Sequence, residues 1–318
     1  MSETLKIAFW GLGSIAKRHI RNLQNVLCAR ETAFEIDIYR HSVKDINDSG
    51  IAKFIHETFL EKDLEGSGKL YDVIFIPNPT SLHYETVKIC ANYCKHMFIE
   101  KPVFDDISYS IELLGLKESS VYYVACPLRY SSVLQYVKSN INLEKVFSVR
   151  AVCSSYLPEW RPGQDYRDTY SAHKSLGGGV NIDLIHEWDY LTWMFGSPEK
   201  VIYSGGKFSN LDIDSDDLAT YIGVYKDKLV EVHLDYFGRK TQRELYLYMP
   251  DDTVRVDLVN SVVEYMNTGK IINLCEERDA FQRRELEHFL DIINDKCPND
   301  SSIIHALGVM KIAMGVFI

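Results

Sequence analysis

The chain lacks any CxxC pair. Its seven cysteines, Cys28, Cys90, Cys94, Cys126, Cys153, Cys275 and Cys297, are odd in number and scattered. That spacing supports neither a disulfide framework nor a metal cluster, and it points to a reducing, cytoplasmic setting. Basic blocks are also missing: 35 Lys plus Arg face 45 Asp plus Glu, for a net charge of −10. A nucleic-acid or anionic-membrane partner is therefore not expected. The longest apolar-rich tract, Ile303 to Ile318, is broken by His305 and Lys311. It falls short of the roughly 18 to 20 residues that a membrane span needs. The opening MSETLKIAFWGLG ends its short apolar run in a glycine turn, which reads as a strand and not as a leader peptide. No internal repeat or heptad array is present, so solenoid and coiled-coil folds drop out.

What is present is a globular balance, 46% hydrophobic and 25% charged over 318 residues, enough for two cores. In residues 1–126 short β-branched runs alternate with helical patterns. Strands are expected at Leu5 to Trp10, Phe34 to Tyr39, Val73 to Ile76, Met97 to Ile99 and Val121 to Ala125, with helices at Ile15 to Leu27, Ser81 to Cys94 and Ile107 to Lys117. Such alternation predicts a parallel α/β sheet. In residues 127–318 strand-like runs follow one another from Val146 to Tyr265. Helical patterns cover Ser132 to Asn140, Val180 to Phe195, Glu277 to Ile293 and Ile303 to Phe317. This half reads as an α+β domain with an open, mainly antiparallel sheet.

Gly11-Leu12-Gly13-Ser14-Ile15-Ala16 follows the first strand and opens the first helix, the context in which G-x-G-x-x-[GA] binds a dinucleotide pyrophosphate. The second strand ends in Arg40-His41-Ser42 where an NAD-binding chain would carry an acid. A guanidinium there suits the extra phosphate of NADP, with Ser42 as a further donor. NAD is retained as the alternative, with Asp37 as ribose ligand.

Three further segments, Pro77-Asn78-Pro79-Thr80-Ser81-Leu82-His83, Glu100-Lys101-Pro102 and Gly177-Gly178-Gly179 running on to Asp183 and His186, follow the glycine turn in order. Together they resemble the glucose-fructose oxidoreductase/inositol dehydrogenase/rhizopine-catabolism (Gfo/Idh/MocA) family of NAD(P)-dependent sugar oxidoreductases. The resemblance implies a Rossmann domain, a second domain whose sheet forms a homodimer or homotetramer, and an active site between the two. It implies that Pro77, Asn78 and His83 line the cofactor, and that Glu100-Lys101-Pro102 brings Lys101 to both cofactor and substrate. It also implies that the pair Arg129-Tyr130 borders the same cleft.

Oxidising a secondary alcohol to a carbonyl leaves a proton to remove, and Lys101 and His186 are of the right types to carry it. Asp183, three residues before His186, is expected to orient that ring or to bind substrate. The common family pattern spaces these two residues by four, so Asp183 has either a restoring bulge or a changed role. His186 is also readable as a satisfied polar residue on an apolar helix. Between the strands and that helix, Trp160, Arg161, Tyr166, Arg167 and Tyr170 lie on an aperiodic segment suited to a polyhydroxylated, anionic ligand. The competing function classes are a non-catalytic NADP-binding sensor and an enzyme that oxidises transiently to permit elimination or hydrolysis.

Overall fold

In the first part of the chain, largely apolar runs alternate with helices, and the strands pair in parallel as that pattern predicts. The computed structural model describes residues 4–42 and 45–316. Strands β1 (Leu5–Trp10), β2 (Phe34–Arg40), β3 (Ile55–Leu60), β4 (Tyr71–Ile76), β5 (Cys94–Ile99) and β6 (Tyr122–Val124) form a parallel sheet in the order β3-β2-β1-β4-β5-β6. Strand order reverses between β1 and β4, so the turns after these two strands flank the switch point where such sheets bind ligands. A ladder of rings crosses the sheet in register. Phe9 stacks on Phe75 at 4.5 Å, Phe75 on Phe98 at 5.0 Å, and Tyr123 follows Phe98 at 5.3 Å.

Contacts divide the chain into two units. One runs up to Ala125 and includes Gln282–Leu307; the other comprises Cys126–Phe281 with the segment from Gly308 on. The sequence expectation placed everything after residue 126 in the second domain. The difference lies in the helix Ala280–Ile293, whose buried Phe289 sets its ring edge-on to Phe98 at 5.3 Å. Arg30 adds an ion pair to Asp291 at 3.0 Å, and Val124 donates its N–H to the Ser301 carbonyl at 2.7 Å.

Two expectations in this unit need correction. Residues 107–117 are not a helix beyond a short 3-10 turn at Ile111–Leu114. Tyr109 stacks on Tyr84 at 4.1 Å while the Tyr84 hydroxyl donates to the Ser110 carbonyl, which holds the backbone in turns. The edge strand β3 is not legible in the sequence, because His56 and Glu57 interrupt its apolar signal.

In the second unit β7 (Ser148–Tyr156), β8 (Lys200–Gly206), β9 (Leu218–Val224), β10 (Leu229–Asp235), β11 (Phe237–Tyr248), β12 (Thr253–Asp257), β13 (Val262–Tyr265) and β14 (Lys270–Asn273) form one sheet. Its order is β14-β13-β12-β11-β7-β10-β9-β8, antiparallel throughout except that β7 and β10 run parallel. Val149, Ala151 and Cys153 are buried while Arg150 between them is exposed, so one face is covered and the other open. The helix expected over Val180 to Phe195 is two helices, Val180–Asp183 and His186–Phe195. At Leu184 φ is −98° and ψ is 30°, which ends the first of them. The final helix stops at Ala313, and Phe317 lies outside the described residues.

Candidate functional site

The glycine turn creates the first half of the site. Gly11 has φ of +103°, a conformation that side chains rarely adopt, and it sends the chain from β1 toward the helix Ser14–Ala29. Gly13 is that helix's N-cap, and a Cβ placed there would meet nothing within 4 Å. No side chain caps this helix and its first turn, which begins with Ser14 and Ile15, holds no acid. Its donors and dipole are therefore offered to an anion.

Above the turn lies a cavity of about 610 Å³ lined by Gly11, Gly13, Arg40, Ser42, Pro77 and Asn78, with His41, Trp10 and Leu82 at its sides. Asn78 donates from Nδ2 to Thr86 Oγ1 at 2.8 Å, whereas its buried Oδ1 has no hydrogen-bond partner among the described residues. An open glycine cradle, an uncapped helix end and an orphaned acceptor are features that a dinucleotide's phosphates and amide groups fit. His41 pairs with Glu61 at 2.8 Å.

Asp37 does not reach this cavity. It accepts hydrogen bonds from Tyr71 at 2.7 Å and Lys69 at 2.9 Å, and stands 3.0 Å from His56. Burial alone would raise its pKa, but these partners outweigh burial and hold the carboxyl below its ordinary value. The alternative of Asp37 as ribose ligand is therefore not supported.

His83 is turned away from the cavity as well. It is 1% exposed, with Nε2 2.9 Å from the Asn78 carbonyl and Nδ1 3.1 Å from the carbonyls of Pro102 and Val103. Glu100 is likewise an interior residue, with Oε1 2.5 Å from His19 Nε2 and Oε2 accepting the Lys101 backbone N–H at 3.2 Å. Lys101 follows in a half-buried loop, and its bond to Pro102 is cis.

The second unit gathers part of the remaining set around Asp183. The Tyr236 hydroxyl, one residue past β10, donates to Asp183 Oδ2 at 2.6 Å. Tyr170 also hydrogen-bonds this carboxylate; burial first, and then Asp183, push both phenols to raised pKa values. Trp160 sets its ring edge-on to Tyr236 at 5.2 Å and donates from Nε1 to Ser155 Oγ at 3.0 Å. The Arg161 guanidinium lies over the Tyr170 ring at 5.3 Å. Gly178 makes this packing possible, because a Cβ there would stand 2.1 Å from the Tyr170 carbonyl oxygen. Tyr236 was missed in the sequence, where it reads as one more strand residue.

His186 opens its helix half-buried, and the neighbouring Glu187 is fully buried against Arg243, at 2.6 Å to Nε and 3.1 Å to Nη2. Arg129 departs from expectation. It is 0% exposed and grips Asp189 through Nε at 2.9 Å and Nη2 at 2.6 Å, so it anchors the helix that carries His186 and does not present its charge to a ligand. Tyr130 beside it is buried. Arg167 pairs with Asp165 at 2.6 Å and Asp212 at 3.5 Å, and the Tyr166 hydroxyl accepts the Asp212 N–H at 3.1 Å. These two residues fold the segment on itself.

No helix among the described residues is long and apolar enough to cross a membrane, and no group of three or more His, Cys, Asp or Glu among them could hold a metal ion.

Comparison with known proteins agrees with this layout. The chain is 25% identical over 209 residues to the uncharacterized oxidoreductase YrbE of Bacillus subtilis, covering 65% of this chain and 58% of that protein. It is 29% identical over 147 residues to 2,7-anhydro-N-acetylneuraminate hydratase of Escherichia coli, covering 45% and 39%. The match thus spans less than two thirds of either relative. The fold is shared with the WlbA dehydrogenase of Bordetella pertussis, solved in complex with NADH and UDP-GlcNAcA, at a TM-score of 0.77 and 16% identity over 99% of this chain and 95% of that one. Residues 5–123 match the model of the Gfo/Idh/MocA oxidoreductase family with an NAD-binding Rossmann fold.

Proposed function

We propose that the protein is an NADP-preferring oxidoreductase that interconverts a hydroxyl and a carbonyl on a sugar or sugar-derived, anionic substrate. The observation that carries the cofactor preference is the tip of β2. Arg40 and Ser42 line the cavity there, while the acid of that strand, Asp37, is held by Lys69, Tyr71 and His56. A guanidinium and a hydroxyl match a 2′-phosphate, whereas a bare ribose calls for an acceptor.

When bound, the nicotinamide supplies the hydride acceptor. The chain has to bind the sugar, orient one carbon and take up the hydroxyl proton. Lys101 and His186 are assigned that proton. Asp183, which has two phenol partners and acceptor positions to spare, is assigned to hold a substrate hydroxyl together with Tyr170 and Tyr236. Trp160 and Arg161, packed on those tyrosines, are assigned to the sugar face and to an anionic group. The open face of the eight-stranded sheet is assigned to self-association; Ile202 and Ile222, cross-strand partners, are 50% and 38% exposed on it.

The test is a fluorescence titration with NADPH and NADH on the wild type and on Arg40→Ala, followed by a screen of sugars and sugar acids for NADPH formation. NADPH is expected to bind at least about tenfold tighter than NADH, and the variant to lose that margin. Equal binding of the two cofactors by the wild type would overturn the NADP assignment. Absence of turnover across the screen, with tight binding retained, would favour the sensor. The likeness to a hydratase supports a second reading, in which reduced cofactor is formed and consumed within one turnover. Conversion of substrate without accumulating NADPH distinguishes it.

A further inference from the structure

Lys101 stands in a loop that two buried histidines hold from different elements. His19, on the helix Ser14–Ala29, is 2% exposed and directs Nε2 at Glu100 Oε1, 2.5 Å away. Its ring is fixed edge-on against Phe98 at 5.1 Å, while Nδ1 has no hydrogen-bond partner among the described residues. The ring proton therefore belongs on Nε2, where Glu100 accepts it. Burial by itself would raise the Glu100 pKa. The hydrogen bond from His19, with the nearby Lys101, outweighs it and holds this carboxyl below its ordinary value. The other oxygen of Glu100 accepts the Lys101 backbone N–H, so the backbone of Lys101 is tied through Glu100 to the phosphate-binding helix.

His83 makes the second tie. Its ring lies between the carbonyl of Asn78, a cavity residue, and the carbonyls of Pro102 and Val103. Burial lowers the His83 pKa and favours the neutral ring, whose single N–H donates to one of these sides, the loop just after Lys101 or the turn after β4, while the ring packs between both. A loop lysine that needs no defined position would not call for two buried imidazoles, since each has to lose water and find partners in the interior.

We propose that His19 and His83 are positioning residues for Lys101, clamping the Glu100–Val103 loop from both sides so that the ammonium group keeps one location relative to the dinucleotide cavity. The proposal rests on the assignment of Lys101 as proton carrier. It adds that the assignment depends on two histidines that do not themselves line the cavity.

The experiment labels the lysines of the protein by reductive methylation with ¹³C-formaldehyde and follows the Lys101 methyl resonance, identified by its loss in Lys101→Arg. In His19→Ala and His83→Ala the resonance is expected to move from its wild-type shift and to broaden. In His19→Gln, which restores a donor facing Glu100, it is expected to return most of the way. With an accepted substrate, kcat in the alanine variants is expected to fall about tenfold to a hundredfold with KM changed far less, the signature of a displaced reacting group. An unmoved Lys101 resonance in both folded alanine variants overturns the proposal. If an alanine variant does not fold, Glu100→Gln is read in its place. It retains the shape of the contact while removing its charge, and an unmoved resonance there also overturns the proposal. A wild-type protein that binds no dinucleotide defeats the cofactor reading alone, because the resonance is read without cofactor.

Discussion

Replacing Arg243 by Met isolates the buried charge that seats the helix His186–Phe195 on its sheet. Glu187 is 0% exposed and receives two N–H groups from Arg243, whose own side chain is 22% exposed. Removing one partner of such a pair strands a carboxylate in the interior, at a cost of about 3 to 5 kcal/mol. Because the arginine side is partly open and water can enter where it stood, the lower end, about 3 kcal/mol, is expected. At about 2 to 4 °C per kcal/mol for a unit of this size, the thermal midpoint should fall by roughly 6 to 12 °C. Differential scanning calorimetry of the variant, beside the double variant Glu187→Gln/Arg243→Met, makes the cause visible. If stranded charge is responsible, the double variant regains at least half of the loss, since no buried charge is left unpaired. A single variant within about 1 °C of wild type, or a double variant no better than the single, would refute the reasoning.

Two further outcomes follow from the first unit. Asp37 has a folded pKa below its unfolded one, so its contribution to stability is present above the unfolded value and is lost as pH falls through the folded value. Asp37→Asn should therefore destabilise the protein to urea at neutral pH and converge with wild type as pH falls below the ordinary carboxylate range; a gap that stays constant down to acid pH would contradict this. Phe289→Ala removes a 0% exposed ring from the aromatic ladder, and a loss of about 3 to 5 kcal/mol is expected in urea unfolding. A loss under about 1 kcal/mol would mean that residues 282–307 do not pack with the first unit as described.

Legibility followed the range of the interactions involved. The glycine turn, the strand ends at Trp10 and Ile76 and the parallel order were readable because each depends on neighbours a few residues away, in apolar runs and in a turn that only glycine adopts. The motifs Pro77-Asn78, Glu100-Lys101 and Asp183-His186 were readable as residue types, but their side-chain roles were not. Whether His83 faces the cavity or carbonyls that include those of Pro102 and Val103, and whether Arg129 faces a ligand or Asp189, depends on partners 19 to 60 positions away that no local pattern reports. The break at Leu184 was hinted at by the three-residue spacing of Asp183 and His186, yet only the backbone shows two helices in place of one bulge. Tyr236 could have been found had the residue following β10 been treated as a candidate.

The sequence by itself determined the class of the fold, the position of the dinucleotide turn and the chemical types available for proton transfer, because periodicity, turn chemistry and side-chain chemistry are properties of short segments. Tertiary structure decided that residues 282–307 return to the Rossmann unit, that Asp37 is held by other side chains and that Asp183 is held by two phenols. Those outcomes depend on which buried polar groups meet in the interior, where each must find its partner across the fold.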